Sequence, residues 1–114
     1  MTGATGALGG ALALSLAKAG AHLILLARNQ ELLDGLVNTL STFTSAQGFV
    51  VDVMTRAELN KVKETVLSQY DTIDVLINAV GGNLPGAVIP DDKSVFDLSE
   101  RDFDQVVDLN LKGT

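Results

Sequence analysis

Helix-length and strand-length apolar segments alternate along this chain, and that alternation restricts it to few architectures. Leu8, Leu12 and Leu16 recur at helical spacing before Gly20, which predicts a helix over residues 8–19. Residues 22–27 form an apolar run of strand length. Asn29 then offers an N-cap to a second helix, whose apolar face is Leu32, Leu33, Leu36, Val37 and Leu40. Residues 49–53 read as a second strand. Thr55 and Glu58 make a capping-box pair ahead of Leu59, Val62, Val66 and Tyr70, a third helix, and residues 73–77 give a third strand. A loop rich in Gly, Pro, Asn and Asp fills residues 81–92. Ser99 and Asp102 form another capping pair, opening a helix through Phe103, Val106, Val107 and Asn110. Strands separated by helices of this length imply parallel βαβ units, so the expected fold class is α/β with a parallel sheet.

At 114 residues the chain reads as a single domain, 1–114, long enough to bury one core. The net charge of −6 argues against nucleic acid or an anionic membrane surface as a partner. No cysteine and one histidine leave no disulfide, thiolate-zinc or His-rich metal site. Residues 6–27 are the most apolar stretch, but Lys18, His22 and several glycines interrupt it and no basic segment precedes it, so neither a spanning helix nor a secretion signal is expected. Cytoplasm is the default location.

The first residues, Thr2-Gly3-Ala4-Thr5-Gly6-Ala7-Leu8-Gly9-Gly10, are a glycine-rich turn running into a helix. In a βαβ unit such a turn presents backbone N–H groups and the positive end of the helix dipole to a phosphate. Close packing of a helix by small residues would use the same residues. In open α/β sheets ligands lie beyond the carboxyl ends of the strands. Polar residues stand there: Arg28 and Asn29 after the first apolar strand, Asp52 near the end of the next, and Asn78 after the third.

With those elements in order, the chain resembles the N-terminal half of a short-chain dehydrogenase/reductase, which implies a Rossmann-like parallel sheet with helices on both faces, without its first strand and its C-terminal half. Thr2 to Gly9 resembles that family's glycine turn, Asp52-Val53 its adenine-contacting pair, Asn78-Ala79-Val80-Gly81 its Asn-Asn-Ala-Gly element, and Asp108 to Thr114 the segment bearing its helix asparagine. The turn departs from the dehydrogenase pattern because Ala7 stands at the middle glycine. Taken literally, Gly3, Gly6 and Gly9 resemble the extended, epimerase-like branch, whereas the downstream elements resemble the dehydrogenase branch. The turn accepts an alanine if its φ stays negative and the cofactor backbone does not touch it.

The resemblance implies that Gly3, Thr5, Gly6, Leu8 and Gly9 line a pyrophosphate, that Asp52 and Val53 meet the adenine, and that Asn78, Ala79 and Gly81 lie by the ribose. Arg28, with Asn29 beside it, follows Ala27, which occupies the position usually acidic in NAD-preferring members. An arginine there pairs with a 2′-phosphate, which favours NADP(H) over the alternative NAD. A solvated arginine, and an Asp52 that merely caps the Thr55 helix, are the bland readings. Asn110 resembles the catalytic asparagine, and helical spacing puts its amide on a buried face; an ordinary asparagine near a helix end is the alternative.

The family's Ser, Tyr and Lys would fall beyond Thr114: the only tyrosine is Tyr70, and Asp74 lies four residues on. The chain is therefore expected to be the cofactor-binding half of an oxidoreductase acting on a carbonyl or secondary alcohol, inactive alone, with a small-molecule substrate and a homo-oligomeric complete form. A non-catalytic nucleotide-binding or assembly fragment, and an extended-branch epimerase or dehydratase, are the alternatives. Residues 81–85, Gly-Gly-Asn-Leu-Pro, resemble members acting on sugar acids. In the family's strand order the strand before the glycine turn is central, so the sheet is expected to lack that strand, with Met1 its only remnant.

Overall fold

A computed structural model describes residues 1–114. The chain forms two compact units, Met1–Ala79 and Val80–Thr114. The first contains α1 (Ala7–Lys18), β1 (Leu23–Ala27), α2 (Gln30–Leu40), β2 (Ala46–Val50) and α3 (Arg56–Gln69). Its strands pair in parallel, Leu23 opposite Ala46 through Ala27 opposite Val50, as βαβ connection demands.

Alternation along β1 sorts the layers. Leu23, Leu25 and Ala27 are buried in a core with Ala4, Ala13 and Ala17, and with Leu33 and Leu40 of α2. Ile24 and Leu26 point to the other face, where Leu59, Val62 and Val66 of α3 line a cavity with them. The sheet thus has helices on both faces.

The α1 helix forms where expected but buries a different stripe. Gly9, Ala13 and Ala17 face the core, while Leu8 and Leu12 are 71% and 37% exposed. Small side chains at i, i+4 and i+8 let the helix axis approach the strand, which leucines would hold off. Gly20, at φ +86°, ends the helix in the left-handed region, with Ala21 N–H returning to Leu16 O at 3.1 Å.

The second strand lies three residues earlier than the expected 49–53. Ala46, Gln47 and Gly48 lack the apolar character of a strand, yet β1 requires a partner in register. Gly48 also lets α2 descend onto the sheet, since a Cβ there would meet Leu33 and Val37 at 2.9 and 3.0 Å. After β2, Val51 N–H still reaches Ala27 O at 3.0 Å before the chain turns.

Residues 73–77 form no strand. Thr2 explains why: it makes isolated parallel bridges to both Leu26 and Asn78, so it occupies the position of a central strand one bridge long. The expected ladder needs a neighbour along its whole length, and only Thr2 supplies one.

The Thr55–Glu58 capping box is also absent. Thr55 N–H is already bonded to Asp52 O at 2.9 Å, and the Glu58 carboxylate instead accepts from Asp52 N–H at 2.9 Å.

In the second unit, 3-10 turns at Pro85–Ala87 and Val95–Asp97 precede α4 (Glu100–Val107). Ser99 caps α4 by accepting from Asp102 N–H at 3.3 Å, as its spacing predicted. A capping box does form at Ser94 and Asp97, around the second turn. The last helix does not run uniformly through Asn110: residues Asp108–Lys112 widen into a π turn, closed by Gly113 N–H on Asp108 O.

Candidate functional site

In the first unit the glycine turn is built by backbone, not side chains. Gly3 sits at φ +64°, a conformation that L side chains rarely adopt, and its carbonyl accepts from Gly6 N–H at 3.1 Å. Gly9 lies directly beneath: a Cβ there would fall inside the Gly3 carbonyl and within 3.2 Å of Ala4 Cα. Turn and helix are therefore in backbone contact, which fixes the direction of the first helical N–H groups. Gly6 is the N-cap residue and has no side chain to satisfy them. No acidic residue lies in the first turn, so the positive end of the helix dipole is unopposed there. Thr5 is half-buried; Gly6 and Leu8 are exposed. Ala7 begins the helix with negative φ, because no residue other than glycine has a positive one, so its methyl group puts no strain on the turn's backbone.

Thr2 was not among the expected site residues. It is 7% exposed, and its hydroxyl accepts from Ala79 N–H at 3.3 Å, joining the glycine turn to the end of the third apolar segment. A threonine before a glycine turn is the only sequence signal for it.

Arg28 and Asp52 follow β1 and β2, whereas Asn78 follows a segment that forms no strand. Arg28 is exposed just past β1 and takes no part in the structure's ion pair, which joins Lys112 and Asp108. Asn29 is committed elsewhere: its side-chain oxygen accepts from Leu32 N–H at 2.9 Å, capping α2. Asp52 turns one carboxylate oxygen back to Met54 N–H at 2.9 Å and leaves the other free. It holds a turn before α3 rather than capping the helix itself. Val53 is half-buried beside it, and Asn78 is exposed, registered against Thr2 through its backbone.

Gly81 and Asn110 belong to the second unit. Asn110 is exposed, not buried as its spacing suggested, because no residue of α4 or of the following turn is buried. Its amide is nevertheless fully engaged. The Nδ2 group donates to Gly82 O at 2.8 Å and Val106 O at 2.7 Å, and Oδ1 accepts from Gly82 N–H at 3.1 Å. Gly81 packs on that amide, since a Cβ there would stand 2.7 Å from Oδ1. Gly82, the partner in this pairing, carries no signal in the sequence beyond being a glycine.

A parallel βαβ unit with a backbone-lined glycine turn at the first helix defines a dinucleotide-type fold. The family follows from comparison: a family model described as short chain dehydrogenase matches residues 1–114, and the chain belongs to that family. It is 34% identical over 113 residues to an NADPH-dependent pterin aldehyde reductase of Arabidopsis thaliana, covering 99% of this chain and 44% of that one. A putative D-mannonate oxidoreductase from Haemophilus influenza, solved with bound NAD, superposes with TM-score 0.85 at 28% identity, over 98% of this chain and 44% of that one. L-sorbose reductase from Gluconobacter frateurii, complexed with NADPH and L-sorbose, gives TM-score 0.81 at 25% identity, over 99% of this chain and 41% of that one. The chain thus spans less than half the length of these relatives. No helix is long and apolar enough to cross a membrane.

Proposed function

We propose that the chain binds the phosphates of a nicotinamide dinucleotide at the N-terminus of α1, as part of an oxidoreductase acting on a carbonyl or secondary alcohol. The observation that carries this is the glycine turn itself. The left-handed Gly3, the backbone packing of Gly9 on its carbonyl and the uncapped, acid-free first turn make a backbone turn that a side chain at Gly9 would push apart. Bound there, the cofactor would supply or accept hydride. The N–H groups of Ala7, Leu8 and Gly9 would donate to the pyrophosphate, with Thr5 at the rim. The free carboxylate oxygen of Asp52 would accept from the adenine amino group beside Val53, and Asn78 and Ala79 would adjoin the ribose.

Arg28 favours NADP(H). Its guanidinium is exposed at the strand end, next to Ala27 rather than to a carboxylate that would repel a 2′-phosphate. In the second unit Asn110 is a positioning residue, holding Gly82 at the π turn. Polyhydroxylated carbonyl compounds are the favoured substrate class. The supports are the resemblance of residues 81–85 and the mannonate and sorbose enzymes among the structural relatives. A cytoplasmic homo-oligomer is the form expected of the whole protein.

Parallel titrations with NADPH and NADH test the cofactor assignment. NADPH is expected to bind more tightly, and Arg28→Ala to weaken NADPH by about 10- to 100-fold, the equivalent of one charge-assisted hydrogen-bonded pair, with little change for NADH. Equal loss for both cofactors would place Arg28 away from the 2′-phosphate. Failure to bind either would end the cofactor-binding reading.

A further inference from the structure

Asp52 is held at three of its four polar groups by one short stretch of chain. Its N–H donates to Glu58 Oε2 at 2.9 Å, its backbone carbonyl accepts from Thr55 N–H at 2.9 Å, and its Oδ1 accepts from Met54 N–H at 2.9 Å. The residue before it is fixed as well, since buried Val51 donates its N–H to Ala27 O at 3.0 Å. Only the second carboxylate oxygen, Oδ2, is left to accept from something else.

The Met54 and Thr55 bonds are local, and an aspartate in a tight turn commonly makes them. The Glu58 bond is of another kind. It reaches back six residues from the first turn of α3, where Glu58 is the acidic residue, and ties that helix to the chain leaving β2. The helix does not require it: a glutamate at this position ordinarily turns back on the N-cap N–H, here that of Thr55, which Asp52 O already holds. A backbone N–H on a carboxylate is also charge-assisted, and stronger than the neutral bonds beside it. Without it, nothing on the helix side restrains the N–H end of Asp52.

We infer that Glu58 is a positioning residue, holding Asp52 so that Oδ2 stands as a fixed acceptor and the site selects a 6-amino purine over a 6-oxo purine. This rests on the reading of Asp52 as the adenine contact of the proposed dinucleotide site. A carboxylate oxygen accepts from an amino group and is repelled by a 6-oxo group. A 6-oxo purine, however, carries an N–H on the adjacent ring nitrogen, and a carboxylate free to swing could accept from that instead. Discrimination therefore depends on Asp52 being held still, which is what Glu58 contributes. Its own Oε2 is engaged by backbone, so Glu58 acts through Asp52.

The test titrates NADPH and its hypoxanthine counterpart, which has oxygen in place of the 6-amino group, into the full chain as its gene encodes it. The two ligands share their phosphates, riboses and nicotinamide, so the ratio of their Kd values reads the purine contact alone. NADPH is expected to bind about 10- to 100-fold more tightly, as one hydrogen bond to a charged group gives. Two variants then separate reach from charge. Glu58→Gln keeps an oxygen at the same reach without the charge, whereas Glu58→Asp keeps the charge at the helix N-terminus and is one methylene shorter. Gln is expected to keep most of the ratio, and Asp to lower it about 5- to 10-fold, with faster amide exchange at Asp52 in the cofactor-free protein. A general loosening of the fold would weaken both ligands alike and leave the ratio where it was. An unchanged ratio in Glu58→Asp, with NADPH still bound, overturns the inference and leaves the dinucleotide reading standing. So does a ratio lost in Gln and kept in Asp, which would make the helix-terminal charge the cause. Equal binding of the two ligands by the unmodified chain removes the Asp52 contact and this inference with it; binding of neither removes the dinucleotide reading as well.

Discussion

Replacing Gly9 by alanine isolates what the glycine turn contributes, because its neighbour Gly10 supplies an internal control. Both glycines are in the first turns of α1, where Ala is favoured over Gly by about 1 kcal/mol. At Gly10 an added Cβ would meet Ala4 O at 3.6 Å, an ordinary contact, so Gly10→Ala is expected to stabilise by up to about 1 kcal/mol. At Gly9 the same methyl group would enter the Gly3 carbonyl and come within 2.9 Å of Gly3 C. Those atoms are backbone, held by the Gly6 N–H bond and the left-handed Gly3, so α1 must move away from the turn. Overpacking of this kind costs about 1–3 kcal/mol, and the rigidity of the neighbours puts Gly9 at the upper end. After the propensity gain, the net destabilisation is about 2 kcal/mol, and the two variants should differ by about 3 kcal/mol. Urea unfolding measures this directly, since with a slope of about 1–2 kcal/mol/M the midpoints should separate by roughly 1.5–3 M. Equal midpoints would refute the claim that turn and helix are locked backbone to backbone.

Other consequences can be checked in the same chain. Asn29→Ala removes the N-cap of α2 and should cost about 1 kcal/mol in thermal or urea unfolding, whereas Asn29→Asp should retain most of it. Gly81→Ala should push the Asn110 amide off Gly82, raising amide exchange at Gly82 by about 5- to 10-fold, the equivalent of about 1 kcal/mol, with α1 unaffected. Hydrogen bonds from Ser94 hold the Asp97 carboxyl below its usual range. The Ser94–Asp97 turn is therefore fully capped above the ordinary carboxylate pKa and loses its cap as pH falls through the lowered value. The Ser94 amide resonance should titrate in that window, and in Asp97→Asn it should not.

The helices were legible because their signals are local. Asn29 caps α2 as its position suggested, and Leu59, Val62 and Val66 do form the inward stripe of α3. What misled was tertiary. Of the leucines that mark the period of α1, Leu16 packs half-buried against the core while Leu8 and Leu12 are exposed, because close approach of helix to sheet selects Gly9, Ala13 and Ala17. The Thr55–Glu58 pair has capping-box spacing, but Asp52 already occupies the Thr55 N–H. Residues 73–77 have a strand's composition and lack a strand's neighbour, and pairing is a property of two segments. Of the candidate residues, Arg28 and Asp52 could be located behind β1 and β2 from the strand pattern, and the turn from its glycines. Thr2 and Gly82 could not, since their roles rest on Ala79 and Asn110, far along the chain.

The central claim is that the N–H groups opening α1 hold a dinucleotide's phosphates. Amide chemical shifts recorded during an NADPH titration of the 114-residue chain test it most directly. Saturable shifts at Ala7, Leu8 and Gly9, abolished by Gly9→Val while the Asn29 cap of α2 persists, are the predicted result. Binding that leaves those three amides unmoved would contradict it.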